Sequence, residues 1–463
     1  MRMTTVQRAA LSVGHWRLDP VFHLRHQRIR TVIDRDDAQH VPLADLVAAI
    51  QDGARLPAAS AGIPILRLSN LRPCEVDLHD IRYVDGTSGH WPALRLGDVV
   101  FTRAAEPFRA AVISASVPTP MTISPEITVI RPRPAVLPEY LAAVLSTPSF
   151  AAVLRDLAYR SRFGAMQRLR LSDIQRLPLP LPRRSVQEEI RSAYITAEEL
   201  TSRAREEFSG IVRAVHAEIN ARLPAVQLDT GCFQIRRGQL RERWDVSYAC
   251  GRLLRETLAT TRVMRPLFEL ARPVAPSLRG LDNDARVLAI QADDVNEATF
   301  LVEGAPERTL RDLSARMRQP LAVGDVLLCT TGAGQQVAFL DKALEEYGLP
   351  LLGSATFTAL QFTETPRFFA VALTYPLVRI QLNLLMSGSV QRFVNQRALD
   401  ELLVPTLGSV WREDFDSRMQ QAMQHRREAL AARASVLEAA EVFVTRRWEE
   451  EMQRTVWRRR QSW

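Results

Sequence analysis

Lysine is almost missing from this chain. Of its 60 Lys and Arg in 463 residues, 59 are arginine and Lys342 stands alone. A P-loop needs Gly-Lys-Ser or Gly-Lys-Thr so that the lysine reaches the β- and γ-phosphates. Lys342 follows Asp341 and precedes Ala343, so no Walker ATPase or helicase motor is encoded. A Schiff-base lysine, a kinase-type Val-Ala-Ile-Lys or a nuclease centre with lysine beside paired carboxylates would all fall to this one residue. Its setting, Phe339-Leu340-Asp341-Lys342, has no carboxylate two positions before it. Cysteine is scarce too. Cys74, Cys232, Cys250 and Cys329 stand far apart without a Cys-x-x-Cys pair, which fits buried thiols in a reducing cytosol and not a zinc site or disulfide frame. The eight histidines form no His-x-x-x-His pair; His23 and His26 lack cysteine or carboxylate support, so no metal is expected. No run approaches eighteen apolar residues and Met1-Arg2-Met3-Thr4 leads into no apolar segment, so the expected location is the cytoplasm, with no membrane partner. There is no Asn/Asp-Pro-Pro-Tyr/Phe box to hold an amine for methylation. Gly332-Ala333-Gly334 lacks the third glycine of a dinucleotide fingerprint. No catalytic residue is assigned, no cofactor is expected on the chain itself, and the chain reads as non-enzymatic.

What is present is ordinary globular composition with a basic excess. The 46% hydrophobic and 24% charged residues exclude disordered and fibrous classes, and the length suffices for two to four domains. A net charge of +8 and a pI near 9.8 favour a polyanionic partner. Since nearly every cation is a guanidinium, the available chemistry is bidentate recognition of phosphate and guanine.

Landmarks of the first half recur in the second at an offset of 224 to 228 residues. Trp16 answers Trp244, and Pro42-Leu43-Ala44-Asp45-Leu46 answers Pro266-Leu267-Phe268-Glu269-Leu270. Leu96-Gly97-Asp98-Val99-Val100 answers Val323-Gly324-Asp325-Val326-Leu327, in each case a turn opening a short apolar strand. Gly164 to Arg168 answers Gly388 to Arg392, and Ser172-Asp173-Ile174 answers Leu399-Asp400-Glu401. Asp98 to Asp173 and Asp325 to Asp400 are both 75 residues apart. The period is half the chain, so a module is duplicated; this is not a solenoid.

Each half ends in a proline-free amphipathic segment. Ile190, Tyr194, Ala197, Leu200, Ala204, Phe208, Ile211, Val215 and Ile219 recur at spacings of three and four, the pattern of a long helix with a coiled-coil-like seam. From Glu413 to Val456 the seam reads Phe415, Met419, Met423, Leu430, Leu437, Ala440, Val444, Trp448 and Met452. A helix of about 38 residues at 1.5 Å per residue reaches roughly 57 Å, which suits an arm, strut or spacer. Before each helix the pattern is mixed α/β. Strands are expected at Ile63 to Leu68, Asp98 to Thr102, Glu126 to Ile130, Arg286 to Ile290 and Asp325 to Thr330, and a helix over Pro138 to Leu145. Leu177 to Arg183 is an extended connector, and Pro224 with Asp229 to Gly231 marks the return loop. The fold class is α+β, as two duplicated mixed α/β domains each followed by a long α-helix, with boundaries at 1–183, 184–224, 225–410 and 411–463.

The candidate binding residues cluster at duplicated positions. The stretch from Tyr159 to Arg170 carries Arg160, Arg162, Gln167, Arg168 and Arg170. Its counterpart carries Ser389, Gln391, Arg392, Asn395 and Arg397. Arg103 and Arg109 follow the first Gly-Asp strand; Thr331, Gln335 and Gln336 follow the second. Arginine, glutamine and asparagine fork onto guanine and adenine edges in the major groove, while further arginine and serine hold phosphates. The same polar chemistry at two positions, differing in detail, describes two related readers with different targets.

In its order of module, long helix, related module and long helix, the chain resembles the specificity (S) subunit of Type I restriction-modification enzymes. The landmarks are Trp16-Arg17-Leu18-Asp19, Pro42 to Leu46, Gly62-Ile63-Pro64-Ile65-Leu66-Arg67 with Leu68-Ser69-Asn70, Leu96 to Arg103, Gly164 to Arg168, Leu171-Ser172-Asp173-Ile174 and Gln187-Glu188-Glu189-Ile190. In the second half they are Gly324-Asp325 and Gly388 through Pro405. The resemblance covers nearly the whole chain, although Ala285 to Ile290 only loosely matches the Gly62 segment and the arginine-rich tail after Trp457 lies outside the pattern. It implies a non-catalytic reader of double-stranded DNA. Each module would be a target-recognition domain for half of a split asymmetric site. The helices would pack as an antiparallel coiled-coil spacer and dock two methyltransferase subunits. S-adenosylmethionine and adenine methylation would belong to those partners, and restriction/translocase subunits could join, in a restriction-modification or phage-defence complex. The competing reading is a duplicated coiled-coil scaffold bridging proteins of a defence or repair assembly without sequence-specific DNA readout.

Overall fold

The structure is a computed structural model that describes residues 40–87, 91–104, 108–160, 167–223, 246–274, 281–332, 336–387 and 392–461. The landmarks Trp16, Trp244 and the Pro224 to Gly231 return loop lie outside these. The chain divides into two units, one of 1–202 with 428–463 and one of 203–427. The division falls within both long helices, Arg184–Arg222 and Ser409–Gln461.

In the first unit an antiparallel sheet runs in the order Val47–Asp52, Ile127–Pro132, Val99–Thr102, Ala110–Val112. Strand alternation sends successive side chains to opposite faces, and both faces are covered. Val99, Phe101 and Ile130 join a core with the Pro138–Leu145 helix and with Ile190, Tyr194 and Ala197 of the first long helix. Val100 and Val129 face Leu66 and Ile123, which belong to a second small sheet where Thr122–Ile123 pairs parallel to Ile63–Leu66. Strands buried on both faces read as continuous apolar runs, which is why the sequence shows them without alternation. Pro178–Pro180, expected as part of an extended connector, pairs antiparallel with His40–Pro42.

The second unit repeats this order of elements. Its main sheet contains Ala271–Pro273, Phe357–Phe362, Val326–Cys329 and Val337–Phe339 in that order, extended by Leu301–Val302 and Val295–Asn296. Val326, Leu328 and Leu360 face the helical side, and Leu327, Cys329 and Ala359 face Leu288, Ile290 and Leu351 of the second sheet. Single hydrogen bonds recur as well. Leu43 N–H donates to Leu177 O at 2.8 Å and Leu267 N–H to Leu402 O at 2.8 Å; Gly97 N–H donates to Ile113 O at 2.9 Å and Gly324 N–H to Leu340 O at 2.8 Å. The Val246–Ala259 helix lies so close to Pro376–Leu385 that a Cβ on Gly251 would come within 2.9 Å of Leu384 Cβ.

Both long helices contribute to each unit. In the second, Glu207 Oε2 meets His425 Nδ1 at 2.6 Å, and the Arg222 guanidinium lies 5.5 Å from the Trp411 ring centroid. The two pieces therefore run antiparallel there, with Phe208, Ile211, Val215 and Ile219 against Phe415, Met419 and Met423. In the first, Ile190, Tyr194 and Ala197 share a core with Val436 and Ala440. Val444, Trp448 and Met452 lie outside the residues whose side chains are described; among the others, the seam departs from the expected one at three places. Leu200 is half-buried and Thr201 is buried instead; Leu430 and Leu437 are half-buried, while Arg426 and Arg433 are buried. Arg426 forks onto Glu303, with Nε and Nη2 each 2.9 Å from a carboxylate oxygen. Arg433 pairs with Glu75 and donates to Thr201 Oγ1 at 2.8 Å.

The long helices also cap shorter ones. Helix N-termini leave N–H groups without intrahelical partners. Gln187 Oε1 accepts from Leu137 N–H at 2.9 Å ahead of Pro138–Leu145. Asp416 Oδ1 accepts from Arg367 N–H at 2.8 Å and Phe368 N–H at 3.2 Å in Pro366–Ala372. Glu441 accepts from Ser149 N–H at 3.2 Å in Pro148–Leu157. Each module is thus held to helix side chains by directional bonds as well as apolar contact.

Candidate nucleic-acid interface

The site begins where the Gly-Asp strands end. In the first unit, Arg103 N–H donates to Glu126 O at 2.9 Å and Leu169 N–H donates to Arg103 O at 2.8 Å. These bonds bring the end of the Val99–Thr102 strand to the segment after the Tyr159–Arg160 and Gln167–Arg168 pair, which is antiparallel with Tyr159 opposite Arg168 and Arg160 opposite Gln167. In the second unit, Thr330 N–H donates to Thr356 O at 2.9 Å and Val394 N–H donates to Thr330 O at 2.9 Å. Phe393 is bridged to both Thr331 and Ser387. Leu169 and Val394 are buried at equivalent places and act as pegs for the two loops. Eight residues separate Tyr159 from Arg168, and five separate Ser387 from Phe393.

The structure therefore joins, within each unit, two clusters that lie some 60 residues apart in sequence. It treats the individual side chains differently. Arg168 and Arg170 flank Leu169, the former half-buried and the latter exposed. Arg160 and Gln167 are placed by their backbone pairing. Arg103 turns inward: its Nε lies 3.3 Å from Asp52 Oδ1, which also accepts from Thr128 Oγ1 at 2.8 Å. Arg109 Nη1 donates to Leu71 O at 2.9 Å. In the second unit Arg392 and Arg397 are exposed. Gln336 Nε2 donates to Glu297 Oε1 at 2.9 Å, and Asn395 Oδ1 caps Gln396–Asp400 by accepting from Ala398 N–H at 2.8 Å. Thr331 is half-buried beside Gly332, whose positive φ of 76° favours glycine and whose N–H donates to Arg392 O at 3.0 Å. Arg162, Gln335, Ser389 and Gln391 lie outside the described residues.

The turns that open the two strands differ in charge. Asp98 Oδ2 accepts from Arg95 N–H at 3.0 Å, and Asp325 Oδ2 from Ala322 N–H at 2.9 Å. Arg131 clasps Asp98 with Nε and Nη2 at 2.8 and 3.0 Å, and this bonding holds the Arg131 pKa above its ordinary value. Strand register puts Gln361 where Arg131 stands, since Ile130 pairs with Val99 and Leu360 with Val326. Burial then pushes the Asp325 carboxyl up, with bonds from Ala322 and Gln361 opposing it. The aspartates are legible in the sequence and their partners Arg131 and Gln361 are not, because those sit on a strand 33 to 36 residues downstream.

Among the described residues, no group of three or more His, Cys, Asp or Glu is placed to hold a metal ion. Burial pushes the Cys74 thiol up to about 12, which leaves it protonated and unreactive at neutral pH. No single described helix is long and apolar enough to cross a membrane. The bent pair Pro366–Ala372 and Pro376–Leu385 passes on composition, and its Phe368, Phe369, Val378 and Leu382 lie in the core of the second unit.

No protein-family model matches the chain, and no curated protein matches it. Among solved structures, it is similar to the crystal structure of the HsdS subunit from Thermoanaerobacter tengcongensis, at 14% identity and a TM-score of 0.28, over 88% of this chain and 95% of that one. It is also similar to the Type-I restriction-modification system S subunit from M. genitalium, at 13% identity and a TM-score of 0.35, over 86% and 95%. The likeness is to restriction-modification S subunits. A third match, at 14% identity and a TM-score of 0.26 over 87% and 96%, comes from work on complex assembly and conformational transition of the type I R-M system.

Proposed function

We propose that the chain is the non-catalytic DNA-specificity subunit of a Type I-like restriction-modification or phage-defence complex. The observation that carries this reading is the twice-built loop scaffold. One arrangement of strand end and peg occurs in both units with equivalent backbone bonds, beside an antiparallel pairing in each, and it places Arg168 and Arg170 in one and Arg392 and Arg397 in the other. A shared backbone with different polar side chains is what two readers of two different half-sites need, since base edges are told apart by donor and acceptor pattern.

In this reading each module is a target-recognition domain for one half of an asymmetric bipartite site, and the long helices form an antiparallel coiled-coil spacer that sets the gap. The continuous 39- and 53-residue helices support that role, as do the directional caps from Gln187, Asp416 and Glu441. Two methyltransferase subunits dock on the helices and bind S-adenosylmethionine; they methylate adenine, and restriction/translocase subunits join in some states. The chain itself contributes positioning: guanidiniums hold phosphates, and loop side chains read bases.

The test is selection of randomised duplex DNA with the full chain and its co-purified partner. Two short motifs separated by a fixed gap are expected, with binding that weakens steeply with salt. Recovery of unenriched DNA would refute the proposal. Inserting one heptad in each long helix should change the gap and leave both motifs intact; an unchanged gap removes the spacer role.

A further inference from the structure

The two loop scaffolds differ at one position in a way that decides what each can read. Leu169 and Val394 are equivalent pegs, each donating its N–H to the end of a Gly-Asp strand. The residue before the peg is Arg168 in the first unit and Phe393 in the second. Phe393 is 45% exposed, yet its backbone is pinned. Its N–H donates to Ser387 O and its carbonyl accepts from Ser387 N–H, both at 2.9 Å. The adjoining bonds from Val394 N–H to Thr330 O and from Gly332 N–H to Arg392 O, at 2.9 and 3.0 Å, hold the residues on either side. An apolar ring is thus displayed to solvent from a pinned backbone, next to the exposed Arg392.

A phenyl ring has no donor or acceptor, so it reads no base edge by hydrogen bonding. The major-groove edges carry one apolar group, the C5-methyl of thymine, and phenylalanine is among the side chains suited to contact it. On the reading given above, we infer that Phe393 reads a thymine methyl in the second half-site, at the place in the scaffold where Arg168 offers a guanidinium to the first. Ring desolvation against the methyl supplies the preference, and Arg392 beside it supplies the anchoring charge. The two halves then differ in kind: one donor-rich contact and one apolar contact at equivalent positions.

The experiment uses the full chain with its co-purified partner. The selected motif is first assigned to its two halves with Arg168→Ala and Arg392→Ala variants. Each thymine of the second half is then replaced singly by deoxyuridine, which removes only the methyl. For the unaltered chain, one replacement is expected to weaken binding about four-fold, the scale of one buried methyl group. Phe393→Ala should bind the thymine and deoxyuridine duplexes equally at that position and keep its recognition of the first half. Phe393→Leu should retain part of the discrimination, and the amide-exchange pattern of the Val326–Cys329 strand should be unchanged in both variants, because the ring lies outside the core. If the four-fold effect persists in Phe393→Ala, or no thymine in that half responds to methyl removal, the inference fails while the specificity-subunit reading stands. A selection without a split motif overturns both.

Discussion

Arg426→Met tests how the second unit is held to its long helix. The Arg426 and Glu303 side chains are 2% and 6% exposed, and the guanidinium makes two 2.9 Å bonds to the carboxylate. Removing one partner of a buried pair costs about 3–5 kcal/mol, because the other charge stays buried. Here the stranded carboxylate keeps Asn296 Nδ2 at 3.2 Å from both its oxygens and Thr299 Oγ1 at 3.2 Å from one. Those donors put the expected loss at the lower end, about 3 kcal/mol. Hydrogen exchange in the full chain is the suitable assay, since it reports opening locally. A loss of about 3 kcal/mol speeds exchange of the Val337–Phe339 and Leu301–Val302 amides by roughly a hundredfold. Arg426→Met combined with Glu303→Leu removes both charges and should return to within about 1 kcal/mol of the parent chain. A single variant that leaves those amides within five-fold of the parent, or a double variant as labile as the single, would refute the argument that a buried charge pair holds this face.

Other predictions concern turns, packing and recognition. Asp325 has a raised folded-state pKa, so its contribution is present below the unfolded pKa and is lost as pH rises through the folded value. Gln361→Arg, which copies the Arg131 clasp, should remove that loss and add about 1 kcal/mol at pH 7; urea melts of both proteins from acid to neutral pH check it, and parallel curves would contradict it. Gly251→Val drives side-chain atoms into Leu384 and should destabilise the second unit by about 1–3 kcal/mol, read as a lower urea midpoint; an unchanged midpoint would mean the helices separate freely. Arg168→Ala should change preference in one half-site and Arg392→Ala in the other, measured by selection from randomised duplexes; a change in both halves from either variant speaks against separate readers.

Much of the fold was legible because its signals are local. Gly97-Asp98 and Gly324-Asp325 announce a turn and an apolar strand within six residues, and Pro138 and the apolar run after it define a helix that forms with those bounds. The long helices appear where proline is absent and apolar residues keep helical spacing. Pairings between distant segments were not legible. Arg103 is a candidate DNA contact by sequence, and its ion partner is not legible there: Asp52, on the Val47–Asp52 strand that pairs with Ile127–Pro132, lies 3.3 Å from its Nε. Asn395, a candidate base reader, also caps Gln396–Asp400 through its Oδ1, a role that its position before that helix does announce. The buried arginines left a trace. The second seam runs Met423, Leu430, Leu437 at intervals of seven, and the intermediate turns fall on Arg426 and Arg433. A gap in an apolar stripe filled by arginine is a signal for a buried ion pair.

Those two arginines bear on any attempt to graft a module between related chains. Glu75 and its partner Arg433 are separated by more than 350 residues of sequence, and Glu303 and Arg426 by 123. A donor module cut at its own ends carries the carboxylate and leaves the guanidinium behind on the recipient's last helix. Compatibility between a transplanted module and its host is therefore a matter of two acidic residues, Glu75 and Glu303, and a graft that lacks one leaves a buried arginine without its carboxylate however well its loops are built.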